Sequence, residues 1–219
     1  MDEEIKKVIK HTGTSILGII CKDGIVMAAD RQVTAGNIVL GKNEKKVMKI
    51  NDYLVVSNCG NASDAQLLTK VLPAELKLKE YQSGERPSVR QAANLLAMMA
   101  FRNIRQFSTI PAVVGTLIAG LNDDDTFELY TVEPAGSIIK VEDYDANFGS
   151  GMPYILGVLE SEYKKDLSVK EGIDMAIKCL KASTQRDTGS GYGVDIFTIT
   201  KEGIKKVVSQ EIQSTYKDE

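Results

Sequence analysis

The chain has 219 residues, 43% of them hydrophobic and 26% charged, and this length suits a single large domain with a well-buried core. Its net charge of −3 gives no electrostatic reason to expect nucleic acid or an anionic membrane as a partner, and no apolar run approaches the ~20 residues of a membrane helix. The acidic start, Met1 to Glu4, lacks the basic and apolar parts of a secretion signal, so we expect a cytoplasmic location.

The predicted elements begin with strands. Apolar, β-branched segments bounded by turn residues such as Lys22-Asp23-Gly24 and Asn51-Asp52 are typical of strands that lie in a buried sheet. The predicted strands cover, in chain order, residues 14–21, 25–29, 47–50, 53–56, 112–121, 126–132, 137–142, 194–200 and 204–208.

Helical periodicity is found in four segments between these strands. Three of them open with the spacing of a capping box, in which a serine is followed three residues later by glutamine or glutamate. These pairs are Ser63 with Gln66, Ser88 with Gln91, and Ser168 with Glu171, the last opening a helix to about residue 184. We expect Pro73 to kink or interrupt the first helix, because proline lacks the N–H that the helix needs. The remaining helix covers roughly residues 152–163.

The order of strands, two helices, strands, two helices and strands is not the strict alternation of a doubly wound sheet. It favours two stacked sheets with helices on both outer faces, an α+β arrangement. No linker, low-complexity tract or internal repeat interrupts the sequence. We therefore expect a short leader, residues 1–13, followed by a single domain over residues 14–219.

Histidine and cysteine usage narrows the chemistry. His11 is the single histidine and lies ahead of Gly13-Thr14, so cleavage there would leave a chain without Ser-His-Asp triads, Cys-His dyads or histidine-based metal sites. The three cysteines, Cys21, Cys59 and Cys179, lie far apart and lack zinc-site spacing. We interpret each as a small core residue and expect no bound metal.

Thr14 is a candidate nucleophile if it becomes the N-terminus. Its hydroxyl can attack a carbonyl carbon while its own α-amine accepts the hydroxyl proton. A free α-amine has a pKa of about 7.7–8.0, much closer to neutrality than that of lysine. Gly13 leaves no side chain at the bond to be broken. Taken alone, a Gly-Thr pair is a weak signal, since such dipeptides are common in strands and turns.

Three further residues are candidates to support Thr14. Asp30 follows the second predicted strand and Lys46 opens the third, so both are expected at the end of the sheet where the strand of Thr14 begins. Lys46 would favour the deprotonated hydroxyl and Asp30 would hold Lys46 in place, although most Asp-Lys pairs are surface ion pairs. Gly60 lies between a strand and a helix, and either presents its backbone N–H to a developing oxyanion or forms a simple turn.

Two glycine-flanked polar loops, residues 149–151 and 185–191, resemble phosphate cradles only weakly, because neither has the lysine and spacing of a P-loop. They belong instead to a larger set of motifs: Thr14-Ser15-x-x-Gly18, Ala29-Asp30-Arg31-x-Val33-Thr34, Lys46, Gly60, Gly149-Ser150-Gly151, Gly157-Val158-Leu159-Glu160-Ser161-x-Tyr163 and Arg186-Asp187-x-x-Ser190-Gly191. In order and spacing this set resembles the β-subunits of proteasome core particles, in their archaeal form. The resemblance spans essentially all of the chain from Thr14 to the last strands.

The resemblance implies the four-layer αββα sandwich of N-terminal nucleophile hydrolases. It implies that Thr14 is the nucleophile, with Asp30 and Lys46 as its electrostatic support and the Gly60 N–H as the oxyanion donor. Thr34 would align the substrate backbone. Three residues would orient the Thr14 amine and a catalytic water: Ser150, Asp187 and Ser190. The chain departs from the family at Ser15, where a second threonine is usual.

A specificity pocket is also implied by family position. It would receive the residue before the scissile bond and be lined by Val33, Glu44, Met48, Asn58 and Ala62. Three of these are apolar, Asn58 can donate or accept a hydrogen bond, and no basic residue lines the expected floor. We expect neutral, medium-to-large side chains to be preferred, basic ones to be tolerated through Glu44, and acidic ones to be the worst.

The implied activity is that of a threonine endopeptidase that degrades unfolded proteins to peptides through an acyl-enzyme, without metal or organic cofactor. Self-cleavage between Gly13 and Thr14 would remove residues 1–13 as a propeptide. The implied partners are other copies of the chain in a ring, α-type subunits, a regulatory unfolding ATPase that docks on the α ring, and unfolded polypeptide.

Two alternatives remain open. One is a small-molecule amidase of the same N-terminal nucleophile type, although such enzymes more often begin with cysteine or serine. The other is a silent ring-scaffold subunit, which typically lacks the nucleophile, the lysine or the glycine before the cut. This chain has all three, as Thr14, Lys46 and Gly13.

Overall fold

The computed structural model describes residues 13–108 and 111–211, so the leader up to residue 12 lies outside the described residues. The described part of the chain forms twelve strands and four helices. The strands are β1 (Ile16–Cys21), β2 (Gly24–Asp30), β3 (Val33–Ala35), β4 (Ile38–Gly41), β5 (Val47–Lys49), β6 (Leu54–Gly60), β7 (Val114–Leu121), β8 (Phe127–Val132), β9 (Ile138–Val141), β10 (Tyr144–Asp145), β11 (Gly193–Thr200) and β12 (Gly203–Glu211). The helices are α1 (Ala62–Ser83), α2 (Val89–Ile104), α3 (Met152–Glu162) and α4 (Val169–Thr184).

The strands form two five-stranded antiparallel sheets and one hairpin. The first sheet has the order β10-β1-β2-β11-β12 and the second has the order β5-β6-β7-β8-β9. The hairpin of β3 and β4 stands apart from both. In the first sheet, Ile16 of β1 lies opposite Ala29 of β2, and Val194 of β11 lies opposite Asp30. The start of β1, the end of β2 and the start of β11 therefore meet at one end of this sheet.

Alternation along β2 shows how the layers stack. Val26 and Ala28 pack in a core with α3 and α4, whereas Ile25, Met27 and Ala29 pack in a second core against the other sheet. A third core joins the second sheet to α1 and α2. Successive strand residues point to opposite faces, so one strand contributes to two cores. The layer order is helices, sheet, sheet, helices, and the predicted αββα sandwich is confirmed.

The start and course of α1 differ from the sequence prediction. The helix is capped by Asn61, whose side chain accepts from the Ser63 N–H at 3.1 Å, so Ser63 lies inside the first turn and the predicted capping box there is wrong. Pro73 does not interrupt α1, which continues to Ser83. Leu72 and Leu76, on either side of the proline, are buried against the second sheet, and this packing holds both turns in place.

The other helix starts follow the sequence. Capping boxes at Ser88 with Gln91 and at Ser168 with Glu171 open α2 and α4 as predicted. The short strands β3, β4 and β10 were not predicted. Among the described residues, no helix is both long and apolar enough to span a membrane.

The inter-sheet core predicts a large cost for removing Leu117. This residue of β7 is fully buried between the sheets, so Leu117→Ala should lower the free energy of unfolding by about 2–5 kcal/mol. Leu78→Ala is the matched control, since Leu78 of α1 is 51% exposed and should cost less than about 0.5 kcal/mol. Urea unfolding of the full-length chain, followed by circular dichroism, measures both; equal losses would contradict this packing.

Candidate active site

Thr14 lies two residues before β1, at the end of the sandwich where the ends of several strands converge. Its side chain is almost fully buried. Asp30 ends β2 and Lys46 immediately precedes β5, so the two sheets each bring one charged residue to this end of the sandwich. The antiparallel order thus gathers residues that are far apart in sequence around Thr14.

Asp30 is a hydrogen-bonded hub. One carboxylate oxygen accepts from the Lys46 ammonium at 2.7 Å and the Ser15 N–H at 2.8 Å. The other accepts from the N–H groups of Gln32 and Gly191, both at 3.0 Å. Burial raises the pKa of Asp30, while the Lys46 charge and these hydrogen bonds oppose the rise. The carboxylate is surrounded by donors alone, an environment that suits its ionised form.

The carbonyl group of Gly13 is contacted from two sides. The Thr14 hydroxyl donates to its oxygen at 2.6 Å, and the Lys46 ammonium donates to the same oxygen at 3.2 Å. Gly13 also lies so close to Gly189 that a Cβ atom at position 13 would overlap the Gly189 backbone. The peptide bond between Gly13 and Thr14 is therefore held beside the buried Asp30–Lys46 pair, at a position that only glycine fits.

The backbone N–H of Thr14 leads into a chain of hydroxyl groups. It donates to the Ser150 hydroxyl at 3.2 Å, and Ser150 in turn donates to one oxygen of Asp187 at 2.6 Å. Ser190 donates to that same oxygen at 2.5 Å. The structure thus places the three residues expected around the Thr14 nitrogen in one connected group, with Asp187 orienting both serines.

A cavity that is open to solvent lies beside Thr14. All five residues expected in the specificity pocket line it, together with Gly60; the five are Val33, Glu44, Met48, Asn58 and Ala62. The cavity is also lined by Gln32, Lys45, Lys46, Ala65, Gln66 and Thr69, so it contains two basic residues where the sequence predicted none. Gly60 has φ of 130°, and a Cβ atom there would overlap the Val113 carbonyl oxygen, so this position also requires glycine.

Thr34 lies beside the loop that carries Asp187. Its hydroxyl accepts from the Gln32 side-chain amide at 2.9 Å and donates to the Gly189 carbonyl at 3.5 Å. The same Gln32 nitrogen donates to the Thr188 carbonyl at 2.7 Å. Gln32 therefore ties the start of β3 to this loop. Sequence reasoning missed it, although its position two residues after Asp30 was a usable signal.

Ser15 and Ser183 form a second missed contact. The Ser15 hydroxyl lies 2.8 Å from both the Ser183 and the Ser190 hydroxyls, and all three serines are buried. Ser183 belongs to α4, 168 residues from Ser15, and no local pattern links the two. The serine that replaces the usual threonine at position 15 is thus part of the hydrogen-bonded group around Asp187.

Cys59 has a different environment from the other two cysteines. Cys21 and Cys179 are buried, and burial raises the pKa of each thiol to about 12, as expected of core residues. Cys59 is only partly buried and interacts with the Thr14 side chain. Burial raises the pKa of Cys59 despite the nearby Lys46 charge, so its thiol stays protonated and is a poor nucleophile.

Arg31 holds the end of β2 in place. Its guanidinium group donates to both oxygens of Asp195 on β11, at 2.6 and 3.2 Å, and to the Ser209 hydroxyl at 2.7 Å. Both charged side chains are buried, and such bidentate pairs are geometrically specific. The residue next to Asp30 is therefore anchored to the neighbouring strand, which limits the movement of Asp30 itself.

The arrangement suits nucleophilic acyl transfer. A hydroxyl group lies beside a buried lysine–carboxylate pair, with glycine N–H groups and a cavity next to it, and these are the parts that an activated nucleophile requires. Within residues 13–108 and 111–211, no group of three or more histidine, cysteine, aspartate or glutamate side chains is placed to hold a metal ion.

Comparison with known proteins gives a consistent result. The family profile described as "Proteasome subunit" matches residues 10–199. "Proteasome subunit beta" of Nanoarchaeum equitans is 42% identical over 194 residues, which are 89% of this chain and 96% of that protein. "Proteasome subunit beta" of Methanopyrus kandleri is 39% identical, over 92% and 94% of the two chains. "Proteasome subunit beta 2" of Pyrococcus abyssi is 38% identical, over 94% and 95%.

The ion pair at the site predicts an asymmetry between two Asp→Asn variants. Asp30→Asn leaves Lys46 buried without its counter-ion, so the free energy of unfolding should fall by about 3–5 kcal/mol. Asp52→Asn breaks a Lys–Asp pair of the same 2.7 Å length on the surface and should leave the unfolding midpoint unchanged. Urea titration of each full-length variant tests this, and similar midpoints for the two would show that the buried pair contributes little.

Proposed function

The chain belongs to the proteasome subunit family, and we propose that it acts as a threonine endopeptidase with Thr14 as its nucleophile. Within the family it is a β-subunit of the core particle, since the relatives that match most of its length are named proteasome subunit beta. The observation that carries the proposal is the contact of the Thr14 hydroxyl and the Lys46 ammonium with one carbonyl oxygen, beside the buried Asp30.

Self-cleavage is the first reaction of the proposed enzyme. The Thr14 oxygen attacks the Gly13 carbonyl carbon, the C–N bond to Thr14 breaks, and the hydroxyl proton passes to the leaving amine. Lys46 already donates to the carbonyl oxygen, where negative charge develops during the attack. Water then hydrolyses the ester, so that residues 1–13 leave as a propeptide and Thr14 becomes the N-terminus.

Proteolysis repeats this chemistry on a substrate peptide. The freed α-amine of Thr14 accepts the hydroxyl proton and returns it to the leaving amine, in place of a histidine. The Lys46 charge disfavours a second positive charge on that amine and so keeps it available as a base. Asp30 fixes Lys46 through the 2.7 Å ion pair. The acyl-enzyme is an ester on Thr14, and water releases the peptide.

The remaining site residues have supporting roles in this proposal. Ser150, linked to Asp187 and through it to Ser190, holds the Thr14 nitrogen and a hydrolytic water. The Gly60 N–H stabilises the oxyanion, and Thr34 aligns the substrate backbone. The reaction as written requires neither a metal nor an organic cofactor.

Membership of the family implies assembly into multi-subunit rings. We propose that the chain forms rings with other copies of itself, that these stack on rings of α-type subunits, and that an unfolding ATPase docks on the α ring. The substrate in this proposal is unfolded polypeptide, and the place of action is the cytoplasm.

The two alternatives are not favoured. The relatives that match at least 89% of this chain are named proteasome subunit beta, and this favours a β-subunit over a small-molecule amidase. A silent scaffold subunit has no need for Gly13, Thr14 and Lys46 in mutual contact beside a buried aspartate.

Self-cleavage predicts the N-terminus of the mature chain. Assembled particles should begin Thr-Ser-Ile-Leu, corresponding to residues 14–17. Thr14→Ala should retain residues 1–13 and have no peptidase activity, because it lacks the hydroxyl, whereas Thr14→Ser should keep part of both reactions. N-terminal sequencing and intact mass measure the processing. An active particle that still carries residues 1–13 would overturn the proposal.

The role of Lys46 predicts a specific loss of turnover. Lys46→Ala should lower kcat/KM by roughly 10²–10³-fold, the range expected when a group that stabilises developing charge is lost. Lys49→Ala is the control, because Lys49 lies three residues away on β5 and pairs with the exposed Asp52. Rates of fluorogenic peptide cleavage are compared per processed N-terminus, in particles checked for assembly by gel filtration. Near-normal turnover in Lys46→Ala would refute its assigned role.

A further inference from the structure

Asn58 is a polar residue in the wall of the cavity, and both the oxygen and the nitrogen of its side-chain amide are hydrogen-bonded. Its oxygen accepts from the Thr116 hydroxyl at 2.8 Å, and its nitrogen donates to the Thr69 hydroxyl oxygen at 3.0 Å. Asn58 is 7% exposed and lies on β6, directly opposite Thr116 of β7. Thr69 belongs to α1. Two elements, a strand and a helix, therefore fix one amide group.

The proton inventory of these contacts determines which way the amide points. Thr69 has a single hydroxyl proton, and it donates this proton to the Ala65 carbonyl at 2.7 Å. The Thr69 oxygen is therefore an acceptor toward Asn58, and only the amide nitrogen can donate to it. A flipped amide would place two oxygens against each other without a proton between them. The nitrogen of Asn58 must face Thr69.

This orientation leaves a donor on the side of the cavity. Thr69 lines the cavity together with Asn58, whereas Thr116 is not part of the lining and is 2% exposed. The amide nitrogen carries two protons, and the contacts among the described residues use one of them. The second N–H is available to a group that enters the cavity.

The apolar part of the lining makes a hydrogen bond to this donor decisive for which substrate side chain is accepted. Val33, Met48, Ala62 and Ala65 contribute apolar walls, so a polar atom placed in their midst loses water and needs a partner. Glu44 accepts a hydrogen bond from Gln66 at 3.3 Å, and both residues line the same cavity. Lys45 and Lys46 line the cavity as well, so its charged rim carries both signs.

We propose that Thr69 and Thr116 are specificity-determining residues, because they fix Asn58 as a hydrogen-bond donor in the substrate pocket. The pocket then selects neutral side chains that end in an acceptor, such as the tyrosine hydroxyl or the glutamine amide oxygen, over apolar side chains of equal size. This inference rests on the proposed peptidase function. Neither threonine touches the reacting atoms; Thr116 acts through Asn58 alone, and Thr69, which also lines the cavity, holds the Asn58 nitrogen.

The test uses fluorogenic peptides that differ only at the residue before the scissile bond. Two pairs match in size, tyrosine with phenylalanine and glutamine with methionine. In assembled particles of the unaltered chain, kcat/KM should be about 3- to 10-fold higher for the acceptor-tipped member of each pair, the gain typical of one neutral hydrogen bond.

The variants separate the positioning role from general damage. Thr69→Val and Thr116→Val keep the shape of the side chain and remove its hydroxyl, so the Tyr/Phe and Gln/Met ratios should fall toward 1. Asn58→Leu removes the donor itself and should bring the ratios below 1. Thr184→Val is the matched control, because Thr184 makes the same helical contact, donating to the Leu180 carbonyl at 2.8 Å, away from the cavity. Its ratios should stay at the unaltered value.

The outcomes distinguish failure of this inference from failure of the proposed function. Ratios at or below 1 in the unaltered particle, or unchanged ratios in both Thr69→Val and Thr116→Val with cleavage intact, overturn the specificity role alone. If a threonine variant fails to assemble, the ratios of the unaltered particle and of Asn58→Leu still decide. A processed particle that cleaves none of the four peptides or unfolded protein would contradict the peptidase function instead.

Discussion

Burial of the Asp30–Lys46 pair is the constraint on which the rest of the site depends. Removing two charges from water costs several kcal/mol per ion, and only close pairing with further hydrogen bonds offsets this cost. Asp30 meets the requirement with four donors, from Lys46, Ser15, Gln32 and Gly191. These donors come from four separate parts of the chain. The site therefore exists only when both sheets and the loop before β11 are in register.

The same constraint explains why glycine occurs where the chain segments meet. Gly13 lies against Gly189, and Gly60 lies against the Val113 carbonyl, so in both places backbone replaces side chain at the contact. The close approach at Gly13 brings the carbonyl oxygen within hydrogen-bond distance of both Thr14 and Lys46. A larger residue at Gly13 would push its carbonyl oxygen away from Lys46, and a larger residue at Gly60 would clash with Val113. Chemistry and packing thus impose one common geometry.

Local signals in the sequence predicted the fold well and the site in part. Apolar, β-branched segments bounded by turn residues, and the capping boxes at Ser88 and Ser168, act within a few residues, so the strands and helices that they mark were predicted. Pro73 was misread because burial of its neighbours overrides its local effect. The roles of Ser183 and Cys59 depend on contacts across the fold, which no local pattern encodes. Thr69 and Thr116 were missed for the same reason, since their importance lies in the amide between them.

Strand β6 links substrate choice to chemistry through its alternation. Asn58 points to the helix side, where it meets Thr69, while the next residue, Cys59, interacts with the Thr14 side chain on the other face. A substitution at Asn58 therefore acts on the pocket, whereas a substitution at Cys59 acts on the surroundings of the nucleophile. Thr116 lies behind the pocket wall and reaches it only through Asn58, whereas Thr69 lines the pocket beside Asn58. Changes at these two positions can alter which side chains are accepted while the Asp30–Lys46 pair and the Thr14 contacts stay intact, so specificity and catalysis can vary separately on this scaffold.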